Sequence, residues 1–186
     1  NGAMNDQGQA PQMPAGDGGM RTLLRAHPSV AAAFGHPDSW PRELHTAVDL
    51  MLDTRQPALV AWGSDAIVLY NDVYAALLGE RHPAALACPM RAVWPELWDD
   101  IAPTIVRVLA GEPVYIDDKM TAVPTAGSVR QRWFSSSFLP LRLADGVAAG
   151  FFHSVVDTTE RVLDDRWRAF QLALGTRLRD ATTAHD

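Results

Sequence analysis

A single cysteine, Cys88, stands in 186 residues, which excludes an internal disulfide and fits a reducing compartment. Apolar runs all fall short of the about 18 residues that a membrane helix needs. The N-terminus has neither the charged nor the apolar region of a signal peptide, so the expectation is a soluble, cytoplasmic chain. Basic residues are outnumbered 16 to 22, giving a net charge of −6. They are scattered rather than gathered into a stripe, and nucleic acid is not an expected partner. No Gly-rich phosphate loop is present, and Ser135, Ser136 and Ser137 adjoin no Gly-x-Ser-x-Gly turn. The six histidines (His27, His36, His45, His82, His153 and His185) include no pair four residues apart on a helix. Without a His/Cys cluster of ligand spacing, no metal site is expected.

What is there suits one globular domain with appendages. Apolar residues make up 47% and charged residues 20%, an ordinary balance. A core of about 150 residues buries roughly 70% of its extended surface. Residues 1–19, rich in Gly, Pro and Gln, read as a disordered tail or cloning remnant. Residues 20–56 read as an N-terminal helical extension. Within it a short helix over Leu23–Phe34, broken at His27-Pro28, is available to pack on a partner. A clearer helix begins at Trp40-Pro41, with Leu44, Val48, Met51 and Leu52 on one face.

Two short strands, Ala58–Trp62 and Ala66–Tyr70, flank Gly63-Ser64-Asp65 as a hairpin. Asn71-Asp72 starts a short helix lined by Val73, Tyr74, Leu77 and Leu78 and stopped at Gly79. Residues 80–96 read as helical turns and loops, and Leu97–Leu109 as a helix that starts near Pro103 or bends there. Val114–Ile116 reads as a strand, 117–128 as a polar loop, and Arg132–Leu141 as a longer strand. Asp145-Gly146 favours a tight hairpin turn with both residues at positive φ. The apolar run Phe151–Val156 is then the last strand. It ends at Asp157-Thr158-Thr159-Glu160, where Glu160 follows Asp157 by three as in a capping box, and an exit helix follows. Strands in the order two, helices, three indicate an α+β domain.

That order, with its motifs, resembles the PAS domain. The matching elements are Trp62-Gly63, Tyr70-Asn71-Asp72, Leu78-Gly79, Trp94-Pro95-Glu96, Ala110-Gly111-Glu112-Pro113, Asp145-Gly146 with Gly150, and Asp157-Thr158-Thr159-Glu160-Arg161. They span about residues 40–161 and look most like the N-terminal sensory modules of bacterial histidine kinases. The resemblance implies a PAS fold: a five-stranded antiparallel sheet, helices on one face enclosing a small-molecule cavity, an N-terminal helix and a C-terminal exit helix. Residues 57–159 would be the PAS sensory domain and 160–186 the signalling helix. It also implies that Asp157, Thr159, Glu160 and Arg161 relay the state of the sheet to that helix. The residues by themselves equally allow a plain helix cap.

Cavity candidates by position are Tyr70, Tyr74, Trp94, Trp98, Phe134, Ser136, Phe138 and His153, with Phe134, Ser136 and Phe138 on one strand face by alternation. The competing reading of each is ordinary core. Leu163, Trp167, Phe170 and Leu174, spaced 4, 3, 4, form a short heptad-like stripe. It serves either a parallel homodimer or packing on the chain's own sheet. The family's light-sensing motif is absent around Cys88, and Leu97–Leu109 holds no histidine, so flavin and haem are disfavoured. The chain lacks the phosphoacceptor and nucleotide-binding parts of a kinase and is read as non-enzymatic. The expected role is signal input to a downstream output domain, triggered by a small molecule or a partner. The alternatives are a ligand-free dimerisation domain or the input domain of a phosphatase or cyclase.

Overall fold

The computed structural model describes residues 19–125 and 128–183. The residues read as a tail lie outside these, apart from Gly19. Three helices come first: α1 (Gly19–Ala26), α2 (Pro28–Phe34) and α3 (Arg42–Asp53). The hairpin β1 (Ala58–Trp62) and β2 (Ile67–Tyr70) follows, then α4 (Asp72–Leu78), the single turn α5 (Met90–Val93) and α6 (Trp98–Leu109). The chain ends with β3 (Val114–Thr125), β4 (Ser128–Arg142), β5 (Ala148–Asp157) and α7 (Thr159–Thr183). The strands form one antiparallel sheet in the order β2-β1-β5-β4-β3. Among the described residues no helix is long and apolar enough to cross a membrane.

Strand β5 is central and pairs with β1 on one side and β4 on the other. Its Gly150 lies against β1 so closely that a Cβ there would stand 2.3 Å from the Ala61 carbonyl oxygen. The turn before it differs from the tight two-residue form. Leu143 N–H donates to Val147 O, Gly146 N–H donates to Leu143 O (both 2.9 Å), and Gly146 alone takes a positive φ, 86°. This is a three-residue loop closed by a left-handed glycine, with a register shift just before it at Leu141/Arg142.

The N-terminal helices belong to the same core as the sheet. Met20, Leu24 and Val30 are buried, as are Leu44, Val48 and Met51 on α3, while Leu52 is half-buried. The stripe over Leu23–Phe34 is thus used within the chain rather than left for a partner. Val60 and Leu69 are fully buried on the face opposite Leu59 and Tyr70, so β1 and β2 are covered on both sides, with α3 packed across them.

Asn71 fastens this joint. Its Oδ1 accepts from Ala58 N (3.2 Å) and Tyr74 N (2.9 Å). Its Nδ2 donates to the carbonyls of Met51 (3.0 Å), Thr54 (3.3 Å) and Gln56 (2.8 Å). One buried amide therefore ties the end of α3, the start of β1 and the first turn of α4.

Three local readings need correction. On α4 the buried set is Tyr74, Ala75 and Leu78, while Val73 is exposed. The helix α6 runs continuously from Trp98 through Pro103. The segment read as a loop from 117 is strand: β3 continues to Thr125, paired to β4 beyond a bulge between Ile116 and Lys119.

Candidate functional site

Beneath α4, α5 and α6 the sheet leaves a cavity of about 1030 Å³, ample for a small organic ligand. Its floor follows from strand alternation. Phe134, Ser136 and Phe138 of β4 lie in register with Asp157, Val155 and His153 of β5, so these six side chains share a face. Tyr74, Met90, Trp94 and Ile101 close it from the helical side, and Ile116 and Lys119 from β3. A smaller hollow of about 360 Å³ lies among the N-terminal helices around Trp40 and His45. The larger cavity is the better site because an unpartnered buried imidazole stands in its wall.

That imidazole is His153. Its ring stacks on Phe138 (centroids 4.2 Å apart, 18° between planes) and meets the edge of Tyr74 at 6.2 Å. Among the described residues neither ring nitrogen has a hydrogen-bond partner. Burial pushes its pKa from 6.5 down to about 3, so the ring is neutral at physiological pH. Burial also raises the Tyr74 phenol, against the opposing hydrogen bond from Trp94. Trp94 Nε1–H donates to the Tyr74 hydroxyl at 3.1 Å.

Every cation in the lining faces a carboxylate. Arg81 donates to Glu96 Oε1 (2.5 Å) and the Val93 carbonyl (2.8 Å) and lies over the Trp94 ring. Lys119 pairs with Asp100 at 3.4 Å and Arg132 with Asp157 at 2.6 Å. Arg132 follows the same alternation as Phe134, Ser136 and Phe138, and that phase was the signal for it.

Of the positions singled out from sequence, the cavity gathers Tyr74, Trp94, Phe134, Ser136, Phe138 and His153. Tyr70 and Trp98 lie outside its lining. Tyr70 is fully buried behind it, hydrogen-bonded to His82 Nδ1 at 3.1 Å. Its phenol is pushed up to about 12, by burial first and by Cys88 second. Trp98 packs half-buried against the core. Cys88 is half-buried, its Sγ donating to the Ala84 carbonyl at 3.2 Å.

The β5–α7 junction is built by several strands at once. Thr158 N–H donates to the Trp133 carbonyl (2.8 Å), and Thr159 Oγ1 accepts from Trp133 N–H (3.0 Å). Asp157 Oδ1 accepts from Thr159 N–H at 2.9 Å. The helix begins at Thr159, and Val162 N–H donates to the Thr158 carbonyl (3.0 Å). Thr158 is therefore the cap residue, one place later than the capping-box reading, and Glu160 is exposed. Arg161 reaches both oxygens of Asp118 in the β3 bulge, at 2.5 and 2.6 Å. Ser135 steadies that bulge by donating to Asp117 Oδ1 (2.8 Å) and accepting from Asp118 N–H (3.1 Å). Asp117 and Asp118 were missed because their segment carries no apolar alternation, and Ser135, read as a strand residue, could not be matched to them without the β3–β4 pairing. Farther along α7, Leu163, Trp167, Phe170 and Leu174 are all exposed, between 46% and 59%. The stripe does not fold back on the sheet.

The PAS fold family model matches residues 52–163, well over half of the chain. This chain is a PAS domain protein. Among solved structures, the PAS domain from Bordetella pertussis BvgS is similar at 22% identity and a TM-score of 0.53, over 72% of this chain and 99% of that one. An RNA-binding light-oxygen-voltage receptor is similar at 18% identity and a TM-score of 0.52, over 75% of this chain. The PAS chain spans only 40% of that receptor's length. No curated protein matches the chain. These likenesses carry the fold alone.

Proposed function

We propose that the chain is the signal-input module of a bacterial signalling protein, of the histidine-kinase type, and is itself non-catalytic. A small molecule enters the cavity under α4–α6 and biases the sheet, and α7 hands that bias to an output domain. The observation that carries this reading is the Arg161–Asp118 pair. It ties the exit helix to the bulge between Ile116 and Lys119, two residues of the cavity wall. A ligand that favours one arrangement of that wall changes what α7 is attached to, which is the differential affinity that signalling requires. The exposed stripe Leu163, Trp167, Phe170 and Leu174 then serves a homodimer, because apolar surface of this size on one helix face marks an interaction site.

A ligand-free dimerisation domain is the competing reading, and it calls for a filled core rather than a cavity of this volume. Native mass spectrometry of the purified protein decides between them. The expected result is a dimer carrying a small-molecule mass that is lost on denaturation. A dimer without any such mass, still unliganded after incubation with host extract, moves the reading to oligomerisation alone. A monomer removes the dimeric-helix part.

A further inference from the structure

We infer that the cavity takes an uncharged, flat, largely apolar molecule that carries a hydrogen-bonding group, and that His153 is its polar anchor. This rests on the ligand-input reading above and specifies its ligand class. His153 lies in the cavity wall with both ring nitrogens unbonded and sealed from water. A neutral imidazole offers one N–H donor and one bare acceptor nitrogen. Buried polar groups in native proteins are nearly always paired, and these two nitrogens, closed to a water-sized probe by packing that includes the Phe138 and Tyr74 rings, meet a ligand in the cavity once that packing gives way. Tyr74 adds to the demand for polar contact. Its oxygen accepts from Trp94 Nε1–H, and among the described residues no acceptor is seen for its own proton. Ser136 supplies a further hydroxyl on the same floor.

The charge pattern sets the rest of the class. Arg81, Lys119 and Arg132 are each committed to a carboxylate, and among the described residues the lining offers an anion no unpaired cation. The acidic groups of the lining, Glu80, Glu96 and Asp100, are all exposed at the rim. The depth is Tyr74, Phe138, His153 and Val155, all buried. A charged group carried there would lose its hydration with nothing to replace it. The aromatic side chains Trp94, Phe134 and Phe138 in the lining suit a planar ring system.

Three two-ring probes separate the terms: 2-quinolone, with N–H beside C=O; naphthalene, with no polar group; and 2-naphthoate, an anion. Binding is followed by NMR titration of the intact chain, including the imidazole nitrogens of His153. The wild type is expected to bind 2-quinolone about tenfold more tightly than either other probe, the size of one hydrogen bond gained, with the His153 nitrogen shifts moving only for 2-quinolone. His153→Phe keeps the ring stack on Phe138 and should reduce the preference over naphthalene to about twofold or less. Equal binding of 2-naphthoate and 2-quinolone by the wild type overturns the inference, and that comparison needs no variant to fold. Retention of the preference in His153→Phe also overturns it. If naphthalene binds and 2-quinolone gains nothing, the anchor fails while the ligand-input reading stands. If no probe moves Tyr74, Phe138 or His153, both fail.

Discussion

Arg161, on the first turn of α7, grips both carboxylate oxygens of Asp118, 43 residues earlier in the chain. Asp118 itself sits at φ 44°, in the left-handed region that aspartate and asparagine tolerate better than most residues. Asp118→Asn keeps that backbone and removes the charge, whereas Arg161→Ala removes the partner. Both are expected to speed hydrogen exchange in residues 160–166 of α7 and leave the β1–β2 hairpin unchanged. Because the two residues act as one unit, the double variant should add little to either single one. Full additivity would show that the pair is incidental to the junction.

Gly150 and Gly146 are both needed, for unrelated reasons. A Cβ at Gly150 meets backbone at 2.3 Å and the Trp62 ring at 2.9 Å, while one at Gly146 meets nothing within 4 Å but sits at φ 86°. Gly150→Ala is expected to cost about 3 kcal/mol and lower the melting temperature by about 6–12 °C. Gly146→Ala costs only the strain of a left-handed alanine, about 1 kcal/mol. Thermal melts of the two variants check the order. A Gly150→Ala protein that melts like Gly146→Ala would mean that β1 and β5 can move apart.

The two hairpin strands and α3 were legible because turn residues and apolar spacing specify them locally. The alternation of Phe134, Ser136 and Phe138 also placed three side chains on the cavity floor. What could not be read depended on tertiary pairing. Asp117-Asp118-Lys119 is polar, and an edge strand with one neighbour need not bury both faces, so β3 beyond Ile116 looked like a loop. The N-terminal stripe over Leu23–Phe34 called for a cover, without showing that the cover is the chain's own core. Trp98 illustrates the limit within a helix: spacing gave an apolar face, and only packing decides which aromatic reaches the cavity.

Asn71 makes five hydrogen bonds with one side chain, three of them donated to backbone carbonyls. Asn71→Ala leaves those groups unpaired and should cost about 2–4 kcal/mol. Asn71→Asp is expected to be worse despite its near-identical shape, since a carboxylate would face the Met51, Thr54 and Gln56 carbonyls and must either bury a charge or take up a proton. Urea denaturation of both variants reads the difference. An aspartate variant as stable as the wild type would contradict the amide orientation described for Asn71.

His153 makes stability depend on pH in a stated direction. The folded ring takes a proton only at about pH 3, against 6.5 for a free imidazole. Below 6.5 the unfolded chain therefore binds more protons than the folded one, and acid favours unfolding. Among the described residues no charged group contributes to the ring's shift, and the ring lies against Phe138 and Tyr74 and in register with Leu59. The Tyr74 phenol, raised by burial, stays protonated throughout. Other carboxylates and histidines also titrate in this window, so the measurement is the unfolding free energy of the wild type minus that of His153→Phe, from pH 8 to pH 4. The difference should be flat above about pH 7 and then fall by about 1.4 kcal/mol per pH unit between 6 and 4. A difference flat across the whole range would mean that the ring takes up its proton as readily folded as unfolded. It would then be hydrated or paired, with no unmet hydrogen-bonding demand left for a ligand to satisfy.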